Sequence, residues 1–589
     1  MPAEKKWILK SAGNPEVVAK LAAELDIAPR LANLLVQRGI DTYDKAQRFF
    51  NPKLENLNDP FLMKDMRRAV ERIDKALTCG ERIMVYGDYD VDGTTAVALV
   101  YSFLERRGSR DLMFYIPDRY TEGYGISRRS IDLAAENNVK LMIALDCGIK
   151  ANEKIDYAAS KGIDFIVCDH HLPGDEIPNA VAVLDPKRAD CNYPFKELSG
   201  CGVGFKMLQA YCQYKGLAAA EVECLMDLVA VSIASDIVPL VEENRILAYY
   251  GLKRLNEKPN RGLLSVIKLC GLEKHNITID DIVFKIGPRI NAAGRMEIED
   301  EEGADKKHYS GGHRAVKLLI ANTDEKAKKF GDFIDKSNAD RKNIDRSITQ
   351  EAAELIEQNP DIKNRKSTVI YNPSWVKGVV GIVASRLIER YYRPTVVLTM
   401  SNGFVTGSAR SVAGFDLYQA VESCADLLEN FGGHTYAAGL TMQPQNVEEF
   451  TRRFNKYVEE HIEDDMLIPQ VEIDSELLFS DITPEFRNTL NRFQPFGPGN
   501  TAPVFITRNV SDSGEVRLVG NDSDHLKLEL IQHEKPNTSI AAIAFQQPTH
   551  YNHIKSGGAI DVCYCVVENH YRGVVTPQLR VRDIKPVDK

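Results

Sequence analysis

The 589-residue sequence lacks the features that would place it in a membrane or an oxidising compartment. No apolar run reaches the roughly 20 residues that a membrane-spanning helix needs. Met1-Pro2-Ala3-Glu4-Lys5-Lys6-Trp7 opens without the apolar core of a signal peptide. A cytoplasmic location with no membrane partner is the expectation. The 11 cysteines include no C-x-x-C pair, and the closest two, Cys563 and Cys565, sit in a strand-like run. That spacing suits neither a disulfide framework nor a zinc site, so the cysteines are expected to be reduced core residues. Internal repeats and low-complexity segments are also missing. So is an excess of positive charge: 74 Lys and Arg face 84 Asp and Glu, for a net charge of -10. This argues mildly against a nucleic-acid partner, whose phosphates need local Lys and Arg. It does not decide the matter, because a carboxylate-rich metal centre adds negative charge that its cations neutralise, and local grooves outweigh the sum.

What is present is a repeated pattern in the first half. Ile83-Met84-Val85-Tyr86 leads to Asp88-Tyr89-Asp90-Val91-Asp92-Gly93, Leu141-Met142-Ile143-Ala144-Leu145 leads to Asp146, and Phe165-Ile166-Val167-Cys168 leads to Asp169-His170-His171. Short apolar runs alternating with helical stretches read as parallel strands buried on both faces. Ligands of such open sheets bind at the carboxyl ends of the strands. Three stretches are therefore expected to deliver oxygen and imidazole ligands to one edge, with Cys147 and Cys168 packed beneath.

The first acidic run is not a calcium loop. An EF-hand needs Glu at its twelfth position, and counting from Asp88 that position is Leu99. An acidic turn capping a helix over Thr94–Leu104 is the plain alternative for this run taken alone. Asp146 and the Asp-His-His run weigh against it. A further candidate is Asp236, which follows the apolar, helix-like stretch Leu225–Ala234 and could equally be a simple helix terminator. Four carboxylates and a histidine around one cleft suit Mn²⁺ or Mg²⁺ better than zinc. Two such ions activate water and offset phosphoryl charge, so phosphoester or phosphoanhydride hydrolysis is the expected reaction class.

The length predicts two to four domains. Five segments are expected: a helical lead over 1–75, a doubly wound parallel-sheet domain over 76–245, and a helical region with a long connector over 246–358. A second α/β domain over 359–460 and a small β-barrel over 461–589 complete the multi-domain α/β chain.

The motifs closely resemble the DHH phosphoesterase superfamily, whose signature is Asp169-His170-His171 here. Within it they are similar to the RecJ family of single-strand-specific 5′→3′ DNA exonucleases. The resemblance also rests on Asp118–Gly125, Leu145–Gly148, Gly287–Arg295, Gly378–Leu387 and Gly432-Gly433-His434. It covers roughly residues 50–585 and implies the domain order DHH, DHHA1, OB-fold. It implies hydrolysis of single-stranded DNA to 5′-mononucleotides in repair and recombination. The alternative is a DHH-family phosphodiesterase acting on short oligoribonucleotides, which would need only the two catalytic domains.

Carried over motif by motif, the resemblance places the ligands of two Mn²⁺ or Mg²⁺ ions on Asp90, Asp92, Asp146, His170 and Asp236. Asp88 is a further ligand or lies just behind them. Asp146 would bridge the ions, and His171 would orient ligands or touch the scissile phosphate. Arg119, Arg289, Asn291, Arg295, Ser408, Arg410 and His434 would bind substrate. Arg289, Asn291 and Arg295 are read as a Gly/Pro-punctuated loop. Gly407–Ser411 is read as a flexible 5′-phosphate pocket. In the barrel, Arg508, Arg517, Lys527, Tyr571, Arg572, Arg580 and Arg582 are candidates for holding the strand, although such residues often form a solvated face. The acidic run Glu297–Glu302 departs from the family pattern and reads as a solvated insertion. A single-strand-binding protein and a RecQ-type helicase are implied as partners.

Overall fold

Alternate residues of the early strands face opposite sides, and both sets are buried. The structure is a computed structural model that describes residues 4–109, 111–296, 310–520, 522–532, 538–571 and 574–587. Ile83, Val85, Leu141, Ile143 and Ile166 pack under the helices Val91–Arg106, Gly200–Lys215 and Met226–Ser235. Met84, Tyr86, Met142, Ala144, Phe165 and Val167 pack on the other side against Arg128–Glu136 and Asn152–Ser160. This double burial is why the strands read as unbroken apolar runs.

The sheet is parallel throughout. Its spatial order is Leu112–Tyr115, Arg82–Gly87, Val139–Leu145, Asp164–Cys168 and Ala182–Leu184. Chain direction across the sheet reverses beside Arg82–Gly87, at its junction with Val139–Leu145, and such a switch point opens a crevice above the strand ends. The register is more telling. Gly87 pairs with Leu145, Leu145 with Cys168, and Cys168 with Leu184. The next residues are Asp88, Asp146, Asp169 and Asp185, so four neighbouring strands end in aspartate in one row. The core of this unit draws on residues outside 76–245: Met66, Ala69 and Ile73 of the helix Met66–Cys79 join it, and it extends to Ile334.

The connector is the 35-residue helix Asp324–Gln358, about 52 Å long at 1.5 Å per residue. Beyond it lies a five-stranded sheet ordered Leu428–His434, Ala437–Met442, Phe404–Arg410, Thr395–Ser401 and Thr368–Tyr371. Only its last two strands are parallel. The region around Gly407–Arg410 is therefore not a flexible loop but the central strand of this sheet. Arg289 and Asn291 likewise lie on a helix, Gly287–Ala293, which continues a π-helical turn over Ile282–Ile286.

The C-terminal barrel closes on itself. Phe505–Asp512 pairs with His525–Gln532 and with Ile560–Tyr571; Ser539–Ala544 pairs antiparallel with the second strand and parallel with Val574–Pro586. The last two strands form the remaining antiparallel pair. A five-stranded barrel with the order 1-2-3-5-4-1 is the OB topology. The N-terminal lead is built into this end of the molecule. Lys6–Leu9 pairs in parallel with Gln470–Ile473, and Leu31, Leu35 and Phe50 share a core with Phe486, Phe493 and Leu528. Buried Arg245 joins the two ends: its guanidinium donates to the carbonyls of Phe49, Arg492, Phe493, Gln494 and Pro495.

Candidate metal centre and phosphate cleft

The carboxyl edge of the first sheet gathers buried acids that repel one another. His170 Nε2 stands 3.2 Å from Asp146 Oδ1, 3.6 Å from Asp236 Oδ2 and 3.8 Å from Asp92 Oδ2. Asp92 is held by the start of the helix Gly200–Lys215: Gly200 and Cys201 donate their backbone N–H groups to it, and Ser232 donates its hydroxyl, each at 2.7 Å. Gly200 has to be glycine, because a Cβ there would lie 2.6 Å from Asp146 Cβ. Asp146 leaves its strand at φ +60°, a left-handed conformation that aspartate enters more readily than most residues. Asp90 caps the helix Val91–Arg106 by accepting from Gly93 N at 3.0 Å. Asp88 lies behind, fully buried, beside Asp90 and Arg119.

The electrostatics call for cations. Burial, then the charge of Asp90, pushes Asp92 up to about 6. Burial and neighbouring carboxylates push Asp88, Asp146 and Asp236 well above the ordinary carboxylate range. Burial drops His170 to about 3, so its ring is neutral and able to ligate. Its Nε2 is buried without a hydrogen-bond partner, and so is Asp88 Oδ1. Orphaned ligand atoms facing a knot of carboxylates fit divalent cations with oxygen preference. Two overlapping triads, Asp92-His170-Asp236 and Asp146-His170-His171, have ligand atoms close enough to share an ion.

The facing wall is cationic. Arg119 stacks on the Tyr89 ring at 4.2 Å. Arg295 donates to Gly378 O at 3.1 Å, bringing the two α/β domains together. Arg295 is lowered to about 9 by burial, then by the charges of Arg119 and Arg341. Arg410 donates to Ser408 Oγ and to Ala409 O, both at 2.8 Å, and burial lowers it. Both side chains lie against Gly381, in the first turn of the helix Val380–Tyr391. A helix N-terminus, a hydroxyl and guanidinium groups make a ready anion pocket.

Other expected substrate contacts stand apart from this pocket. Arg289 is engaged elsewhere, donating to Asp335 at 2.9 Å, to Lys285 O and to Leu269 O. Asn291 is half-buried on the same helix. His434 is exposed at the end of its edge strand. In the barrel, Arg508 pairs with Glu476 and Asp561, Arg580 with Asp280, and Arg582 donates to Cys565 Sγ. Arg517 and Lys527 face each other directly across two strands. The insertion Glu297–Glu302, Arg572 and the side chain of Tyr571 lie outside the described residues.

Three family models match the chain in the order of its domains: the DHH family N-terminal domain over 82–233, the DHHA1 domain over 364–460, and the RecJ OB domain over 473–583. The single-stranded-DNA-specific exonuclease RecJ of Bacillus subtilis (strain 168) is 35% identical over 568 residues, covering 96% of this chain and 69% of that protein. The chain belongs to the RecJ family. The crystal structure of RecJ from Thermus thermophilus in complex with Mn²⁺ superposes with a TM-score of 0.81 at 26% identity, covering 99% of this chain and 80% of that one. The same protein in complex with Mg²⁺ gives 0.76 at 25%, covering 99% and 79%.

Two residues in this RecJ-family site carry roles that the sequence does not reveal. Asp169 names the signature, yet its task shows only in the structure. It is buried and accepts from the backbone of Ile149, His170 and His171, with its Oδ1 2.7 Å from His171 Nδ1. Burial raises Asp169, but the contact with His171 outweighs it and brings it down to about 2. Burial lowers His171 in turn, and Asp169 more than compensates, giving about 9. Asp169 therefore fixes the His171 ring. Asp169→Asn should lower kcat about 10- to 100-fold, the usual cost of losing an outer partner of a metal-site group, with KM for single-stranded DNA nearly unchanged. Steady-state kinetics on an end-labelled strand would check this. The second is Asp185, fully buried at the end of the short strand Ala182–Leu184, where it holds the following turn by accepting from the Lys187 backbone N–H at 2.7 Å. Its signal is the same apolar run ending in aspartate, only shorter.

Proposed function

We propose that this chain is a metal-dependent exonuclease specific for single-stranded DNA. It digests 5′→3′ and releases 5′-mononucleotides in DNA repair and recombination. The observation that carries this reading is the opposition of two half-sites across one cleft: buried carboxylates around His170 on the first domain, and the guanidinium groups of Arg295 and Arg410 with Ser408 on the facing wall. RecJ relatives carrying that activity in their names, and the Mn²⁺- and Mg²⁺-bound structures, support it.

Asp90, Asp92, Asp146, His170 and Asp236 would hold two Mn²⁺ or Mg²⁺ ions, with Asp146 between them and Asp88 as a further ligand or just behind. When bound, the cations supply an acidified water and charge stabilisation on the phosphoryl and leaving oxygens. The chain's own residues do the positioning. Asp92 is locked by the helix N-terminus, so His170 meets a fixed acid. His171, held by Asp169, presents its other ring nitrogen 3.2 Å from the Tyr124 hydroxyl at the cleft mouth, where it can touch the scissile phosphate. Arg119, Arg295, Ser408 and Arg410 would take the terminal 5′-phosphate, and that anchor sets polarity. Arg289 and Asn291 stand apart from this pocket, with Arg289 held by Asp335, and are not assigned to the terminal phosphate. Arg517 opposite Lys527 is a like-charge pair that costs stability unless an anion lies across it, so the barrel offers a place for the strand.

A phosphodiesterase for short oligoribonucleotides would need neither the barrel nor the lead packed on it. A single-strand-binding protein and a RecQ-type helicase are the partners that fit this role, in the cytoplasm. Single-stranded DNA labelled at either end, incubated with Mn²⁺ and with a chelator, tests the reading. Mononucleotides should appear first from the 5′ label, only with metal. Release from the 3′ label first, or activity in chelator, would contradict it.

A further inference from the structure

The four in-register aspartates define an axis across the carboxyl edge of the first sheet, from Asp88 to Asp185. Three strand spacings make it about 14 Å long. At about 3.4 Å per nucleotide, the compact spacing of a duplex strand, about four phosphates would lie along it, and fewer for a more extended strand. The guanidinium pocket flanks the Asp88 end, where Arg119 lies beside Asp88. The other end carries cations of its own.

Lys187 follows Asp185 and donates its backbone N–H to Asp185 Oδ1 at 2.7 Å. Its ammonium is 3.5 Å from Glu197 and also acts on Asp236 of the metal centre. Lys150 follows the turn after Asp146 and lies against the segment after His171, where a Cβ on Gly174 would stand 3.8 Å from Lys150 Cγ. Among the described residues, Lys150 has no carboxylate within ion-pair distance. Lys150 and Lys187 thus follow two of the four strand ends of the row, Lys150 after Asp146 and Lys187 after Asp185.

We propose that Lys150 and Lys187 form a second phosphate-binding pole, which takes the backbone phosphate on the 3′ side of the scissile bond. This rests on the single-strand nuclease reading above. A strand gripped at both ends of the aspartate row is held in line over the metal centre, which converts binding into alignment. A plain structural role, with Lys187 only balancing Glu197, would not depend on how many phosphates the substrate has.

Substrate length separates the two. A 5′-phosphorylated dinucleotide offers only the terminal and scissile phosphates, and a trinucleotide adds the third. For K150A/K187A, KM on the trinucleotide should rise about tenfold more than on the dinucleotide, with kcat little changed. The slope of log affinity against log salt for a 20-mer should also become shallower by about 1.4, or 0.7 per lost single-strand contact. Equal losses on the two short substrates, or none on either, would overturn the pole. Anisotropy binding of both oligonucleotides in chelator reads the same length difference without chemistry. A wild-type protein that fails to digest the 20-mer would therefore count against the nuclease reading alone, and the binding comparison would still decide the pole.

Discussion

Asp146→Asn should give a folded protein whose nuclease activity is lower by about a thousandfold or more. Asp146 sits at the centre of the acid cluster, 3.2 Å from His170 and in register with Asp88 and Asp169. Its loss removes the carboxylate that both ions would share, and with it several kcal/mol of charge stabilisation; about 4 kcal/mol is a thousandfold in rate. Stability should move the other way. In the metal-free protein Asp146 is buried among like charges, which is why it is held above its ordinary range. A neutral isostere relieves that repulsion, so the variant without metal should melt no lower than wild type. Mn²⁺ should raise the melting temperature of wild type, by linkage worth about 2.7 kcal/mol at a hundredfold excess over Kd. The variant should lose most of that shift. Kinetics on a 5′-labelled strand and melting with and without Mn²⁺ make the check. Wild-type rates from the purified variant would rule out the proposed ligand set.

The row of strand ends is legible in the sequence because burial on both faces removes polar residues from a strand and leaves its terminal acid conspicuous. Asp88, Asp146 and Asp169 announce themselves this way. Asp185 follows a strand of only three residues, Ala182–Leu184, bounded by Pro178 and Pro186. That is too short for periodicity to register. Sequence alone also cannot say which neighbour engages a charge. Arg289 looks as available as Arg295, yet Asp335 on the connector, 46 positions away, takes its guanidinium.

Larger misreadings come from glycine and proline. Gly287-Pro288 suggests a loop, but here helical turns run unbroken from Ile279 through the π-helical turn Ile282–Ile286 into Gly287–Ala293, and such a widened turn next to a proline keeps the chain helical where a regular ladder would break. Gly407 suggests flexibility, whereas it permits close packing: a Cβ there would meet Leu398 Cδ2 at 2.4 Å. The N-terminal lead gives no hint that its strand pairs more than 460 positions downstream. The last barrel strand, Val574–Pro586, is hidden by charged residues on its outer face. Local pattern reports burial; it does not report partners that are distant in sequence.

Arg410→Ala should separate polarity from chemistry. Arg410 lies on the central strand of the second sheet, its guanidinium held to Ser408 Oγ and its own strand, with Gly381 of the helix Val380–Tyr391 alongside. That geometry is rigid and, among the described residues, faces no carboxylate, so an incoming phosphate meets a preorganised donor set. A charge-assisted contact of this kind contributes about 1.5–3 kcal/mol, or roughly 10- to 100-fold in affinity. The loss should appear as a raised KM on 5′-phosphorylated single strands. On 5′-hydroxyl strands, which lack the group, the variant and wild type should differ little. Arg410→Lys should recover only part of the affinity, because an ammonium keeps the charge and loses the fork that spans two phosphate oxygens. Equal losses on both substrates would move Arg410 from the terminal phosphate to the body of the strand. The 5′→3′ direction would then have to arise elsewhere in the cleft.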